Sequence, residues 1–167
     1  MALNTAMLME LKYEAANTRK MLERVPLEKA TWKPHEKSRA LENLALHVAQ
    51  NYAWVDRIMT KDDFDMAVPN AFPKHDPPKT SKELLDMFDH NVATATKALE
   101  AASDETMMKP WNFRAGEKVF MSLPKAAAVR NLAFNHHIHH RGQLSVYLRD
   151  LNVPVPGMYG PSADETM

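Results

Sequence analysis

Four stretches of this 167-residue chain repeat apolar residues every three or four positions, with prolines set at or near their ends. That spacing predicts helices that each bury one face. The first runs from Leu3 to about Arg24 with Leu8, Leu11, Ala15, Thr18 and Leu22 along its stripe. Pro26 closes it, because proline has no amide proton for another turn. A loop over residues 27–36 holds Trp32, Pro34 and His35. Ser38 is then the expected N-cap of a second helix with Leu41, Leu44, Val48, Val55 and Ile58 on its stripe. A third, capped by Thr80 or Ser81, continues to about Ala102 through Leu84, Leu85, Phe88, Val92 and Leu99. Pro124 opens a fourth, which continues to about Asp150.

The segments between these helices complete the expected architecture. Residues 60–80 contain Pro69, Pro73, Pro77 and Pro78, too many for a regular element, so they predict a long crossover between helices two and three. Residues 109–121 alternate around Ala115-Gly116 and predict a short hairpin before helix four. The tail from Asn152 to Met167 holds Pro154, Pro156, Gly157, Gly160 and Pro161 and is expected to be non-helical, with Val153, Val155, Met158 and Tyr159 packing back on the domain. The predicted fold is all-α: one four-helix-bundle domain over residues 1–167.

Only four glycines stand against twelve methionines, which favours helix over sheet. Lys and Arg number 21, as do Asp and Glu, so no global field draws the chain to nucleic acid or anionic lipid. No run approaches the roughly 20 apolar residues of a membrane span, and the N-terminus reads as an amphipathic helix rather than a signal peptide. A cytoplasmic protein is the expectation. With no cysteine, thiolate ligands and a protein thiol nucleophile are excluded.

The histidines carry the functional signal. Four crowd the fourth helix: His136, His137, His139 and His140. With about 100° of rotation per residue and His136 at zero, the apolar positions Val129, Leu132, Ala133, Leu144, Tyr147 and Leu151 centre near 30°. His136 and His140, the latter at about 40°, lie on that axis. His137 at about 100° and His139 at about −60° fall on its flanks, at the surface or as orienting partners. Two inward imidazoles at i and i+4 let one helix give two ligands to one cation. His47, on a face of the second helix with Leu44, Asn51 and Ile58, is the best third ligand. Three histidines would leave a coordination position open, as in catalytic sites. Imidazole suits zinc, nickel, iron and copper, so the identity of the divalent metal stays open. His35, His75 and His90 are assigned no role.

The stretch HHIHHRGQLSVYLRDLNVPVPGMYGPSADE, from His136 to Glu165, and the upstream stretch WKPHEKSRALENLALHVAQNYAW, from Trp32 to Trp54, resemble the DinB/YfiT-like family of metal-dependent bundles. The resemblance covers nearly the whole chain. It implies a four-helix bundle, often a homodimer, with His47, His136 and His140 as the metal triad. Relatives in the wider superfamily include transferases and isomerases that use low-molecular-weight thiols.

The leading expectation is therefore a metal-dependent transferase acting on a small molecule with a low-molecular-weight thiol as cofactor. Arg141 either holds a carboxylate of thiol or substrate or forms an interhelix salt bridge, and Gln143 either orients a ligand or fills a polar interface. The alternatives are a metal-dependent hydrolase, for which no carboxylate base sits within the histidine turns, and a non-catalytic, stress-related metal- or ligand-binding bundle.

Overall fold

A computed structural model of the chain describes residues 2–73 and 75–165. Lys74 of the expected crossover and the last two residues of the expected tail lie outside that range. Helix α1 spans Leu3–Leu22, and a loop with one 3-10 turn leads to α2, Leu41–Gln50, and α3, Ala53–Thr60. A short strand β1, Asp63–Asp65, and an irregular link precede α4, Ser81–Ala101. The short helix α5, Asp104–Met108, leads into strands β2, Pro110–Ala115, and β3, Lys118–Pro124. Helix α6, Lys125–Val129, passes through a π-helical turn at Arg130–Asn135 into α7, His136–Asp150.

The molecule is mostly helical. Helix α4 packs against α1, α2 and α3, while α7 packs against α1 and α2. Their stripes meet in one core that includes Leu11, Leu22, Leu44, Val48, Ile58, Leu84, Leu99, Leu144 and Leu148. Each large apolar side chain fully withdrawn from water contributes about 1.5–3 kcal/mol before the ordering entropy is set against it. The tail is non-helical and packs back as expected: Asn17 Nδ2 donates to the Met158 carbonyl at 3.2 Å, and Val153, Val155 and Met158 lie against the core.

The all-α expectation needs correction. The predicted hairpin forms as β2 and β3, turning at Gly116, whose φ of +58° suits the first position of a primed two-residue turn. Residues Asp63–Asp65, expected as irregular link, add a third strand in parallel with β2 and complete a sheet in the order β1-β2-β3. Three residues are too few to show an alternating pattern. The pairing is held from a distance, by Arg114, whose Nε donates to Asp63 Oδ2 at 2.8 Å and whose Nη1 donates to Asp65 Oδ2 at 2.6 Å.

The helix starts also differ from expectation in an instructive way. Thr80 caps α4 as predicted: its Oγ1 accepts from the Glu83 amide at 3.1 Å, while the Glu83 carboxylate accepts from the Lys79 amide at 2.8 Å. We expect Thr80→Ala to lower stability by about 1 kcal/mol, read as a shift in the urea midpoint at unchanged slope. Ser38 is not the cap of α2. That helix starts at Leu41 with no side-chain cap, and the Leu41 and Glu42 amides donate to the Trp32 and Ala30 carbonyls, each at 2.9 Å. The preceding loop thus takes over the capping role.

Two interruptions of regular helix face one another. The second helical segment breaks at Asn51-Tyr52, and the fourth widens into the π turn. Asn51 Nδ2 donates to the Ala133 carbonyl inside that turn at 2.9 Å, and Asn51 is buried. This bond ties the two segments together one helical turn beyond His47 and just ahead of His136.

Candidate metal centre

His47 projects from the middle of α2, and His136 and His140 from the first turns of α7. One nitrogen from each ring can be chosen so that all three lie within 4.8 Å of one another, close enough to share one metal ion. His47 Nε2 and His136 Nε2 are 2.9 Å apart, and the His47 and His140 ring centres are 4.4 Å apart. Gln143, one turn beyond His140, places Oε1 2.7 Å from His140 Nδ1. Accepting the Nδ1 proton there leaves the His140 Nε2 lone pair free for a cation.

The electrostatics favour neutral rings. Burial lowers the His47 pKa to about 3, helped by His140, the Arg39 guanidinium and His136. Burial likewise lowers His136, with His139 and Arg39 adding to it. His140 is also lowered, chiefly by burial, although its bond to Gln143 opposes the change. Three neutral imidazoles with no thiolate form a donor set suited to a borderline divalent cation.

These shifts give metal-free protein a defined acid sensitivity. Above an ordinary histidine pKa of about 6.5 the folded and unfolded chains are both neutral at His47, so the group adds no pH dependence. As pH falls from there toward 3, the unfolded chain takes up a proton that the folded site refuses, and stability drops. The expected slope is at most about 1.4 kcal/mol per pH unit for each such ring. Urea midpoints measured at pH 7.5 and 5.5 should differ in this sense, and the difference should shrink in His47→Gln.

His137 differs from its expected place on the flank. It is fully buried, bonded to Thr18 Oγ1 through Nε2 at 2.7 Å, and stacked on Tyr52 at a ring separation of 4.2 Å. Burial, with Arg141 beside it, pushes its pKa well below the ordinary value. The π turn explains the error in the expected burial direction. It adds about one residue to the count, or roughly 100° of rotation, so Val129, Leu132 and Ala133 were placed out of phase with α7. Within α7 the buried residues are His137, Arg141, Leu144, Tyr147 and Leu148. His136 and His140 stand on one side of that face, half-buried. His139 is exposed, as expected.

Arg141 is engaged by α1 and the tail. Its Nη2 lies 2.6 Å from Glu14 Oε2, and the side chains are 3% and 7% exposed. Nη1 donates to Thr18 Oγ1 at 3.0 Å, and Nη2 donates to Tyr159 Oη at 2.7 Å. The Tyr159 hydroxyl in turn donates to the Glu14 carboxylate at 2.9 Å. Sequence reasoning missed Glu14, although the signal was present: it falls in the apolar stripe between Leu11 and Thr18, where a carboxylate requires a buried partner.

The family profile for the DinB family matches residues 1–166. The chain belongs to the DinB family. Solved DinB-like structures share the fold. A DinB-like protein from Bacillus cereus ATCC 10987 superposes with a TM-score of 0.69 at 23% identity, covering 91% of this chain and 95% of its own. The DinB-like protein YjoA from Bacillus subtilis gives 0.68 at 18% identity, covering 97% and 99%. Among curated proteins, the uncharacterized protein YrdA of Bacillus subtilis strain 168 is 26% identical over 156 residues, which is 92% of this chain and 86% of YrdA. Among the described residues of this DinB-family chain, no helix is long and apolar enough to cross a membrane.

Proposed function

We propose that this chain is a metal-dependent transferase in which His47, His136 and His140 hold one divalent cation, zinc, nickel or iron, and a low-molecular-weight thiol is the co-substrate. The observation that carries the reading is the convergence of the three imidazoles within 4.8 Å beside an open cleft. A cation bound there supplies Lewis acidity and lowers the pKa of a thiol that takes its open position. Gln143 fixes the ring of His140, and the depressed basicity of all three ligands keeps their lone pairs available at neutral pH.

The surroundings favour thiol transfer over hydrolysis. Arg39 and Lys33 line the concavity on one side of His47, and Arg57 lines the cleft on the other. No carboxylate is among the described residues lining either hollow, so a carboxylate base for hydrolysis has no candidate there. The chain has no cysteine, and the reactive sulfur therefore comes with the co-substrate.

The same reading takes the four long helical segments as one four-helix-bundle domain, forming a homodimer in the cytoplasm. The dimer is supported by Val119 and Phe120, 52% and 51% exposed on the edge strand β3. Light scattering after size exclusion should give twice the chain mass, falling to the chain mass in Val119→Lys/Phe120→Lys. The transferase is tested by elemental analysis of natively purified protein followed by titration with glutathione and cysteine. About one metal per chain and thiol binding that disappears in His136→Ala are the expected results. Metal-dependent ester or amide turnover without thiol would replace the transferase by the hydrolase. Full metal occupancy with neither property would leave a binding module.

A further inference from the structure

Beside His47 the surface opens into a cleft of ≈ 420 Å³. One side is a run along α2 and α3, with His47, Gln50, Trp54 and Arg57 all lining it. Ten positions in the sequence separate His47 from Arg57 along that run. The facing wall includes Phe72 and Met87. The cleft is thus elongated, with the His47 imidazole towards one end, apolar side chains between and a guanidinium towards the other.

Arg57 is the informative residue. Its guanidinium carbon lies 5.3 Å from the ring centres of both Trp54 and Phe64, which fix its position. Elsewhere half-buried or buried arginines have carboxylate partners: Arg114 has Asp63 and Asp65, and Arg141 has Glu14. Arg57 makes no ion pair among the described residues; burial lowers its pKa, and the neighbouring Asp56 offsets this only in part. A partly desolvated, positioned and unpaired fork of donors is a receptor for an anion. Gln50 and Asn51 also line the cleft.

We propose that this cleft binds an elongated small molecule whose anionic end, a carboxylate or a phosphate, pairs with Arg57 and whose apolar body lies on Trp54, Phe72 and Met87. This deepens the transferase reading by naming the class of substrate, and it rests on that reading only for the reacting end at His47. A neutral molecule of the same shape would leave the guanidinium unpaired and bind more weakly. A cationic one would be repelled.

The test uses the full chain without thiol and three probes of one chain length: 4-phenylbutyrate, its neutral amide, and 3-phenylpropylphosphonate. Binding is followed by the backbone amide shifts of residues 47–57 and 87–91. A charge-assisted pair should make at least one anion bind about tenfold tighter than the amide. Arg57→Gln should erase that advantage, and Arg57→Lys should restore part of it. Preference for the butyrate assigns the carboxylate, and preference for the phosphonate assigns the phosphate. Equal affinity for acid, phosphonate and amide, or shifts confined to other surfaces, would overturn the proposal. If Arg57→Gln does not fold, the comparison of probes on the unaltered chain decides it. His136→Ala separates the two readings. Anion binding that survives there while the unaltered chain carries no metal removes only the metal reading, and a metal-loaded chain blind to probe charge removes only this one.

Discussion

Replacing Arg141 with alanine should destabilise the protein by about 3–5 kcal/mol. The change strands the Glu14 carboxylate, 7% exposed, without its cation, and removes a donor from Thr18 and from the Tyr159 hydroxyl. An uncompensated buried charge is costly because the protein interior solvates it poorly. Removing both charges should cost much less, since a buried ion pair is often no better than apolar groups of similar volume. The double variant Glu14→Leu/Arg141→Met is therefore expected to recover most of the loss. Urea unfolding of the three proteins at pH 7 checks this, and a cost below about 1 kcal/mol for Arg141→Ala would show that the pair is not shielded from water.

Alanine at His47, His136 or His140 should remove metal from the protein as purified, because each substitution leaves only two imidazoles. Gln143→Leu should act more mildly, weakening affinity about 10–100-fold, since it frees the His140 ring to turn and to place its proton on either nitrogen. Competition with a chromogenic chelator, in buffer of fixed pH, separates the two classes. Equal metal retention in all three histidine variants would show that the ion is held elsewhere. Equal affinity of Gln143→Leu and the unaltered chain would show that the ring is held by its packing alone.

The helices and the three converging histidines were legible because both follow local periodicity. Leu8, Leu11, Ala15 and Leu22 announce α1, and the i, i+4 spacing of His136 and His140 puts them on one side of one helix whatever its tertiary setting. Strand β1 was not legible, because its pairing is dictated by Arg114 some fifty residues away. The burial of His137 was hidden by a different cause. A count of 100° per residue assumes an unbroken α-helix, and the π turn breaks that count where the histidines begin. Arg57 carried no signal in the sequence, because its lack of an ion pair among the described residues shows only once the chain is folded.

The widened turn at Arg130–Asn135 also makes the length of this helix a determinant of where His136 and His140 point. A shortened chain lacking one residue in that stretch could close it into regular α-helix with every apolar side chain kept. The face now offering His136 and His140 to His47 would then swing by about 100° relative to α6. A single deletion there would turn His136 and His140 away from His47.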